Sequence, residues 1–313
     1  MVAKQRIHST WKFLLPLVAL SLLVAFLLNA SEPGDTVEGC PQGCAVQTKR
    51  QPGQLRVLSL NMLHGHPDFE DLPSRLDLIA AEIRQLDADV VLLQEIPWTR
   101  AAGNGAAYLA GELGYNHLYY RANGNRRLIF FEEGEAIFSR FPLNNPRFTI
   151  LQPRPGFFES RVVLGASALT PWGEVDFFVT HLTDKDPQVA RTQTESLRNF
   201  VAAQTNSLAV VAGDFNARED SPQIIALTDT WSDVYRAIHP NDEGLTCCID
   251  ELAAGPEEPL EKRIDYIFLV KMSGETGKVV NAQRVFDKPF PVSNGWQWAS
   301  DHTGLLVEIK LND

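Results

Sequence analysis

One stretch, LAVVAGDFN at residues 208–216, decides which fold class this sequence predicts. Its apolar residues follow one another without a polar interruption, which is typical of a strand covered on both faces. Asp214 and Asn216 are two residues apart, so in an extended segment both side chains point to one side, with Phe215 on the other. One polar group could activate water while the other binds a phosphoryl oxygen, although a tight turn would also explain the motif.

The same pattern of an apolar run that ends at polar residues occurs elsewhere in the chain. Arg56–Leu60 leads to Asn61, Val90–Leu93 leads to Gln94-Glu95, and Val175–Val179 leads to Thr180-His181. Two further strand-like runs are Ile264–Val270 and Gly304–Leu311. Helical segments lie between several of these runs, and this alternation predicts one domain built as a layered α/β sandwich.

Two helix starts are predicted from capping residues. Ser74 followed by Asp77 resembles a capping box at the start of an apolar helical stripe. Asp186 before Pro187 predicts an N-cap followed by proline at the first helical position.

The N-terminal 30 residues differ in composition from the rest of the chain. Lys4, Arg6 and Lys12 precede or begin an apolar run from Phe13 to Leu28, and acidic residues follow it. This charge asymmetry predicts a signal anchor over residues 1–30, with the rest of the chain outside the cytoplasm. The alternative is a signal peptide cleaved near Ala30, which would release a secreted protein.

Residues 31–54 are rich in Gly, Pro, Gln and acidic residues, and we expect a flexible linker there, before a catalytic domain at 55–313. The four cysteines, Cys40, Cys44, Cys247 and Cys248, allow three disulfide connectivities. Disulfides are compatible with a location outside the cytoplasm, and the spacing does not favour a zinc site.

The composition limits the possible functions. The chain has 313 residues, 44% of them hydrophobic, which is ordinary for a globular domain with a sizeable core. Its formal net charge of −11 argues against a general positive field that would hold nucleic acid. A nuclease is still possible, because a divalent metal and a few arginines can offset phosphate charge locally.

Several polar residues match the needs of phosphoester hydrolysis, namely a cation, a group that activates water and donors for developing negative charge. Glu95 and Asn61 offer hard oxygen ligands suited to Mg²⁺ or Mn²⁺, although each alone is more often a residue at a strand end or turn. Asp265 lies in a strongly apolar strand and needs a partner, for which His302 in Ser300-Asp301-His302 is the candidate. His181 needs a similar orienting group, and Glu133 is a candidate.

Taken in order, these motifs resemble the endonuclease/exonuclease/phosphatase superfamily. The matching series is Ser59-Leu60-Asn61, Gln94-Glu95, Phe138-Ser139-Arg140-Phe141-Pro142, Thr180-His181-Leu182, Gly213-Asp214-Phe215-Asn216, Arg263-Ile264-Asp265-Tyr266 and Ser300-Asp301-His302. The resemblance runs from about Leu55 to the C-terminus. It implies a four-layer α/β sandwich like that of deoxyribonuclease I, with two central mixed β-sheets flanked by helices, and hydrolysis of phosphoesters with Mg²⁺ or Mn²⁺.

The resemblance also implies a role for each site residue. Glu95 would be the main metal ligand, with Asn61 and Asp301 at the same site. Asp214 would orient or deprotonate water. The remaining implied roles belong to Asn216 (holding the phosphoryl group), His302 with Asp265 (transition-state stabilisation), His181 oriented by Glu133 (phosphate oxygens) and Arg161 (substrate phosphate). Apurinic endonucleases have an aspartate where this chain has Leu63, so DNA repair is disfavoured.

Three functions remain open. The first is an extracytoplasmic phosphodiesterase or endonuclease, supported by an arginine-rich stretch that comprises Arg121, Arg126, Arg127, Arg140, Arg147, Arg154 and Arg161. The second is a lipid-headgroup phosphodiesterase or phosphatase, for which Trp296 and Trp298 could rest in a membrane interface. His64 and His66 could line the substrate mouth. A non-catalytic binding module is third, because the proposed catalytic residues are all retained. We expect a monomer that contacts the membrane through its N-terminal segment.

Overall fold

The computed structural model describes residues 7–46, 53–205, 208–270 and 277–311. The helices are α1 Ile7–Asn29, α2 Leu72–Leu86, α3 Gly105–Leu113, α4 Pro187–Gln204, α5 Pro222–Thr228 and α6 Val234–Ile238. The strands are β1 Glu38–Cys40, β2 Leu55–Asn61, β3 Val90–Thr99, β4 Gly103–Asn104, β5 Asn116–Gly124, β6 Phe131–Ser139, β7 Leu143–Gly156, β8 Glu159–Thr170, β9 Gly173–His181, β10 Ala209–Asp214, β11 Ser232–Asp233, β12 Asp265–Val270, β13 Gly277–Val285, β14 Phe290–Val292, β15 Gly295–Gln297 and β16 Gly304–Leu311.

Two mixed sheets form the centre of the protein. Sheet A has the order β1-β5-β6-β3-β2-β16-β13, with β4 paired to β3. Sheet B has the order β11-β12-β10-β9-β8-β7. The parallel neighbours are β2 with β3 and β9 with β10, and antiparallel pairs surround them. In the described part of the chain, β14 and β15 form a separate hairpin.

Three apolar layers hold the sheets and helices together. Residues such as Val57 and Val210 fill the space between the two sheets. Ile79 of α2 belongs to the layer that packs α2 and α3 against the outer face of sheet A. Leu197 of α4 belongs to the corresponding layer over sheet B. The order helix, sheet, sheet, helix confirms the predicted four-layer α/β sandwich.

The register of the parallel pairs brings chemically useful residues to one end of the sandwich. Asn61 at the end of β2 lies beside Gln94 of β3, and Asp214 at the end of β10 lies beside His181 of β9. Gly213 permits this arrangement, because its φ is 156° and a Cβ there would lie 1.8 Å from the Thr180 carbonyl oxygen.

One of the two predicted helix starts is confirmed. Asp186 caps α4, and its side chain accepts hydrogen bonds from the backbone N–H groups of Gln188 and Val189. The capping box predicted at Ser74 is wrong, because α2 begins two residues earlier, after Asp71, whose left-handed φ of 47° turns the chain into the helix.

A flexible linker was expected over residues 31–54, but residues 31–46 of this segment are packed against the catalytic domain. Strand β1 pairs with the edge strand β5 and places Cys40 beside His117. The Ser31 hydroxyl donates to the Phe158 carbonyl at 2.6 Å. An extended segment satisfies its backbone groups by adding to a sheet edge, a long-range contact that composition does not reveal. Residues 47–52 lie outside the described part.

Both disulfides join cysteines that are close in sequence. Cys40 is bonded to Cys44, and Cys247 is bonded to Cys248. Of the three connectivities that the sequence allows, the structure therefore contains the one with the shortest loops.

The N-terminal apolar run forms helix α1, with Pro16 inside it. Within the described residues, no helix combines the length and the apolar character required for crossing a bilayer. Lys4 and Arg6, on which the predicted orientation depends, lie outside the described residues.

Candidate active site

The site lies at the end of the sandwich where β2, β9 and β10 finish, where β3 has an irregularity at Glu95, and where β12 and β16 begin. It brings together the predicted residues Asn61, Glu95, His181, Asp214, Asn216, Asp265 and His302. Residues from both sheets are thus joined by direct hydrogen bonds at a single point.

Glu95 reaches the site through a local distortion of β3. The pairing of β3 with β6 shifts register between Leu93 and Ile96, and Glu95 has a φ of 57°. A bulge of this kind re-aims a side chain that regular alternation would send elsewhere. The carboxylate accepts hydrogen bonds from Asn61 Nδ2 at 3.1 Å and from the His64 backbone N–H at 3.0 Å. Burial would raise the pKa of Glu95, but His64, His181 and these bonds outweigh it and lower the pKa to about 2.

Asn61 connects the two halves of the site. Its Nδ2 lies 3.1 Å from Glu95 Oε1 and 3.1 Å from Asp214 Oδ2. Its Oδ1 accepts a hydrogen bond from the Leu63 backbone N–H at 3.1 Å. One buried amide therefore sets the positions of carboxylates that belong to different sheets.

Asp214 and Asn216 form a tight turn after β10, with a φ of 49° at Asn216. The Asn216 backbone N–H donates to Asp214 Oδ1 at 2.8 Å, and its Nδ2 lies 2.9 Å from His181 Nε2. Burial and the nearby charge of Asp265 raise the pKa of Asp214 to about 7. The sequence allowed two interpretations of this motif, a tight turn or a pair of polar groups in a site. The structure contains both the turn and the polar cluster.

His302 lies between two carboxylates. Its Nδ1 is 2.9 Å from Asp265 Oδ2, and its Nε2 is 3.8 Å from Asp214 Oδ2. Burial would lower the pKa of His302, but Asp265 and Asp214 raise it well above its usual range. The ligand atoms of these three residues lie within 4.8 Å of one another, as in a metal site. With its pKa raised, His302 forms a charged hydrogen bond with Asp265 and a longer ion-pair contact with Asp214.

The predicted pairing of Glu133 with His181 is wrong. Glu133 is hydrogen-bonded to Asn123 on the neighbouring strand β5. His181 Nδ1 lies 3.8 Å from Glu95 Oε1 instead. Burial and the charge of Arg161 hold the pKa of His181 well below its usual range, so this ring is neutral. Sequence position could not identify the partner, because Glu95 and Glu133 lie on adjacent strands and only the bulge brings Glu95 closer.

Asp301 lies beside a buried arginine that sequence reasoning missed. Burial raises the pKa of Asp301, and the charge of Glu95 adds to this rise. Arg75 has no exposed surface, and its guanidinium donates to the carbonyls of Met62 at 2.8 Å and Ala299 at 3.1 Å. It therefore ties the loop after β2 to the loop before Asp301. The available signal was a charged residue beside Leu76 on the otherwise apolar face of α2.

Two clefts open from the site. The larger, about 500 Å³, has Glu95, Glu133 and Arg161 on its walls, and Phe157 and Phe158 at its mouth. The second, about 460 Å³, lies on the other side, next to Asp301 and Arg75. His64 and His66, predicted to line the substrate mouth, lie on the wall of the larger cleft.

The arginine-rich stretch is largely neutralised by the protein's own carboxylates. Arg161, for example, pairs with Glu159 at 3.0 Å. The other ion pairs are Arg121–Glu132, Arg126–Glu38, Arg140–Asp87, Arg147–Asp176 and Arg154–Glu32. Arginines held in this way offer little free charge to a phosphate backbone.

The two tryptophans of the loop before Asp301 have different environments. Trp298 is buried, and its Nε1 donates to the Ala254 carbonyl at 3.0 Å. Trp296 is 41% exposed. Only one of the pair could therefore contact a membrane or a base, and the other has the structural role that is commonest for tryptophan.

Comparisons with known proteins agree on the fold. A family model described as the Endonuclease/Exonuclease/phosphatase family matches residues 58–302. No curated protein matches this chain in sequence.

Among solved structures, an endonuclease/exonuclease/phosphatase family protein from Bacteroides thetaiotaomicron is 17% identical, with a TM-score of 0.67 over 84% of this chain and 100% of that one. The mannosyl-6-phosphatase Bt3783 of Bacteroides thetaiotaomicron VPI-5482 is 19% identical, with a TM-score of 0.64 over 82% and 99%. D. rerio TDP2 complexed with a single-strand DNA product is 17% identical, with a TM-score of 0.63 over 82% and 98%. At these identities the likeness establishes the fold alone.

Proposed function

Because the chain belongs to the endonuclease/exonuclease/phosphatase family, it is a phosphoester hydrolase, and we propose that it cleaves phosphodiesters outside the cytoplasm with the aid of a divalent cation. The observation that carries the proposal is the double hydrogen bond of Asn61, at 3.1 Å to Glu95 and at 3.1 Å to Asp214. These two hydrogen bonds link Glu95, whose pKa is lowered to about 2, to Asp214, whose pKa is raised to about 7. Environments that separate two carboxylates in this way are typical of sites with distinct acid–base roles.

Asp214, His302 and His181 supply the proton chemistry. Asp214 accepts the proton of the attacking water, since its carboxylate is held by Asn61 and Asn216 in a fixed orientation. His302, kept protonated by Asp265, stabilises the negative charge that develops on the phosphoryl oxygens. His181 is neutral, so it orients Asn216 and the phosphate rather than donating a full charge.

The donor set suits a hard divalent cation. Glu95 and Asp301 are half-buried carboxylates whose charges repel each other, and Asn61 lies beside Glu95. A cation relieves this repulsion, and carboxylate and amide oxygens are the ligands that Mg²⁺ and Mn²⁺ prefer. Glu95, Asp301 and Asn61 would hold the ion. When bound, it would supply positive charge to the phosphoryl oxygens.

Two observations support a location outside the cytoplasm. The bonds Cys40–Cys44 and Cys247–Cys248 are stable in oxidising compartments. The basic-then-apolar N-terminus has the charge asymmetry of a segment that directs the following chain outward.

For the substrate, the exposed aromatic mouth favours a lipid headgroup over nucleic acid. Phe157 is 60% exposed and Phe158 48% exposed at the mouth of the larger cleft, where an acidic residue, Glu159, engages Arg161. A nucleic-acid groove would present free cations here. D. rerio TDP2 in complex with a single-strand DNA product keeps nucleic acid as the second candidate, since that protein has the same fold.

The test is hydrolysis by the full chain in detergent, with Mg²⁺, Mn²⁺ and chelator arms. Substrates are a bis-aryl phosphodiester, sphingomyelin, phosphoinositides, RNA, and single- and double-stranded DNA. The variant Asp214→Asn is expected to be inactive. The matched control is Asp176→Asn, which changes a buried aspartate away from the site. Metal-dependent hydrolysis that requires Asp214 is expected. Activity indifferent to chelator, or undiminished in Asp214→Asn, would contradict the mechanism. Cleavage of nucleic acid alone would overturn the lipid preference.

A further inference from the structure

Helix α1 exposes apolar side chains in every direction. From Leu14 to Leu28 these side chains are between 39% exposed, at Leu27, and 66% exposed, at Leu22. The polar Ser21 hydroxyl is turned back onto the helix, where it donates to the Leu17 carbonyl at 2.9 Å. A helix that is apolar all round is stable only in an apolar medium, because no face of it suits water.

The C-terminal end of α1 is fixed beside the active-site mouth. Asn125 Nδ2 donates to the Asn29 carbonyl at 2.9 Å. The Ser31 hydroxyl donates to the Phe158 carbonyl at 2.6 Å and accepts from the Gly124 N–H at 3.0 Å. One buried serine thus joins the end of the helix to the loop after β5 and to the turn between β7 and β8.

Those two loops carry their own exposed apolar residues. Leu128, Ile129 and Phe130 are 37%, 36% and 49% exposed in the loop that follows β5. Phe157 and Phe158, in the turn between β7 and β8, also line the larger cleft. Phe131, which directly follows Phe130, lines the same cleft, so both exposed apolar groups lie next to this opening and next to the end of α1. An exposed apolar patch around a cleft marks an interaction surface rather than scattered surface residues.

We propose that α1, residues 128–130 and residues 157–158 form one lipid-docking face, which seats the active-site mouth on a bilayer so that a lipid phosphoester enters the larger cleft headgroup first. The proposal deepens the proposed function and rests on it. Arginines at the rim suit this position, because Arg100 lies 5.0 Å over the Phe130 ring and Arg154 donates to the Phe157 carbonyl at 3.1 Å. Such side chains place their stems along apolar surface and their charge at the headgroups.

The shape of the apolar surface favours lipid over a protein partner. A partner protein or a second copy of the chain would cover one side of α1 and leave the others in water. Lipid chains can cover every side of a helix that enters one leaflet without crossing the bilayer, and they also accept aromatic side chains at the headgroup level. The net charge of −11 favours a zwitterionic surface over a strongly anionic one.

Fluorescence quenching tests which surface meets the bilayer. The full chain is reconstituted with phosphatidylcholine vesicles that carry brominated acyl chains, and the variants Ile129→Trp and Val280→Trp are compared with the parent. The two positions are 36% and 37% exposed, but Val280 lies on β13, at the edge of sheet A opposite β5. Quenching of the added tryptophan is expected at position 129 and absent at position 280. Equal quenching at both positions, or none at 129 in vesicle-bound protein, would overturn the proposal.

Hydrolysis separates failure of docking from failure of the proposed function. In Leu128→Ser/Ile129→Ser, hydrolysis of sphingomyelin or phosphatidylcholine in vesicles should fall about tenfold, since two apolar contacts with lipid are lost. Hydrolysis of a soluble bis-aryl phosphodiester should be unchanged. Equal rates on vesicles would refute the docking face alone, whereas a parent chain inactive on both substrates would refute the proposed function. A stable dimer that does not bind vesicles would assign the face to a second copy of the chain.

Discussion

The paired strands β9 and β10 form a ladder with one buried aspartate at each end, Asp176 and Asp214. The two carboxylates differ in the charges that surround them. At one end, Asp176 accepts hydrogen bonds from Ser167 and Thr205, both at 2.6 Å, and pairs with Arg147. At the other end, Asp214 lies against Asp265 and beside His302. Burial would raise the pKa of Asp176, but its hydroxyl donors and Arg147 lower it below the usual value. The pKa of Asp214 is raised to about 7.

The difference separates a carboxylate with a structural role from the one to which we assign a role in the proposed reaction. Asp176 is satisfied by its own chain, so it contributes to stability and has nothing left to offer a ligand. Asp214 is held in a region of excess negative charge, which the folded chain alone does not neutralise. Substrate, water and a cation would offset this charge. The proposed active site therefore lies at the end of the strands where the charges of the folded chain are least favourable to its stability.

The largest expected effect is the loss of activity in Asp214→Asn. Turnover of a soluble phosphodiester should fall by about two to four orders of magnitude, because a positioned base is lost while the amide keeps its size. Asp176→Asn should retain activity within a few-fold of the parent. Steady-state rates of the two variants at saturating Mg²⁺ give the comparison directly. Similar losses in both would mean that the two ends of the strands do not differ in function.

A second experiment separates the carboxylate of sheet A from that of sheet B. In Glu95→Gln, the Mg²⁺ concentration that gives half-maximal activity should rise by about 10- to 100-fold, since the proposed main ligand is neutralised. In Asp214→Asn, the maximal rate falls and the Mg²⁺ requirement changes less. A titration of activity against Mg²⁺ for each variant provides the measurement. An unchanged midpoint in Glu95→Gln would remove Glu95 from the metal site.

The sequence predicted the layers and most of the strand ends, because each is encoded locally. The runs before Asn61, Glu95, His181 and Asp214 are apolar on both faces, as buried strands require. Side chains at the carboxyl ends of parallel strands meet at one edge, so the convergence of the site followed from the fold class. The pairing of Asp265 with His302 was also predictable, since a carboxylate in an apolar strand needs a partner.

Contacts that depend on geometry rather than on pattern could not be predicted. The choice of Glu95 over Glu133 as the neighbour of His181 depends on the register shift in β3 between Leu93 and Ile96. The docking of β1 depends on a free edge of β5, which composition does not reveal. Arg75 was overlooked because a single charge beside an apolar stripe is usually a solvated residue, whereas here backbone carbonyls satisfy it.

A third, smaller effect concerns stability. Asp176→Asn should lower the free energy of unfolding by about 2 kcal/mol, the usual scale for weakening a buried hydrogen bond to a charged group. Its partner Arg147 is only 13% exposed and would keep an uncompensated charge. Asp214→Asn should not destabilise the protein, since it removes one of two buried carboxylates that repel each other. Urea unfolding of both variants in chelator tests the contrast, and a larger loss in Asp214→Asn would reverse it.

The smallest effect is the pH dependence of that stability difference. The pKa of Asp176 is lower in the folded protein than in the unfolded chain, so its ionisation stabilises the fold above the unfolded value, near about 3.9. This contribution is lost as the pH falls through the folded pKa. The gap in unfolding free energy between the parent and Asp176→Asn should therefore be constant from about pH 5 to 8 and should narrow in more acidic buffer. Urea unfolding curves at successive pH values measure the gap. A gap that widens on acidification would mean that Asp176 is destabilised by its surroundings, as Asp214 is, and the two ends of β9 and β10 would then be alike.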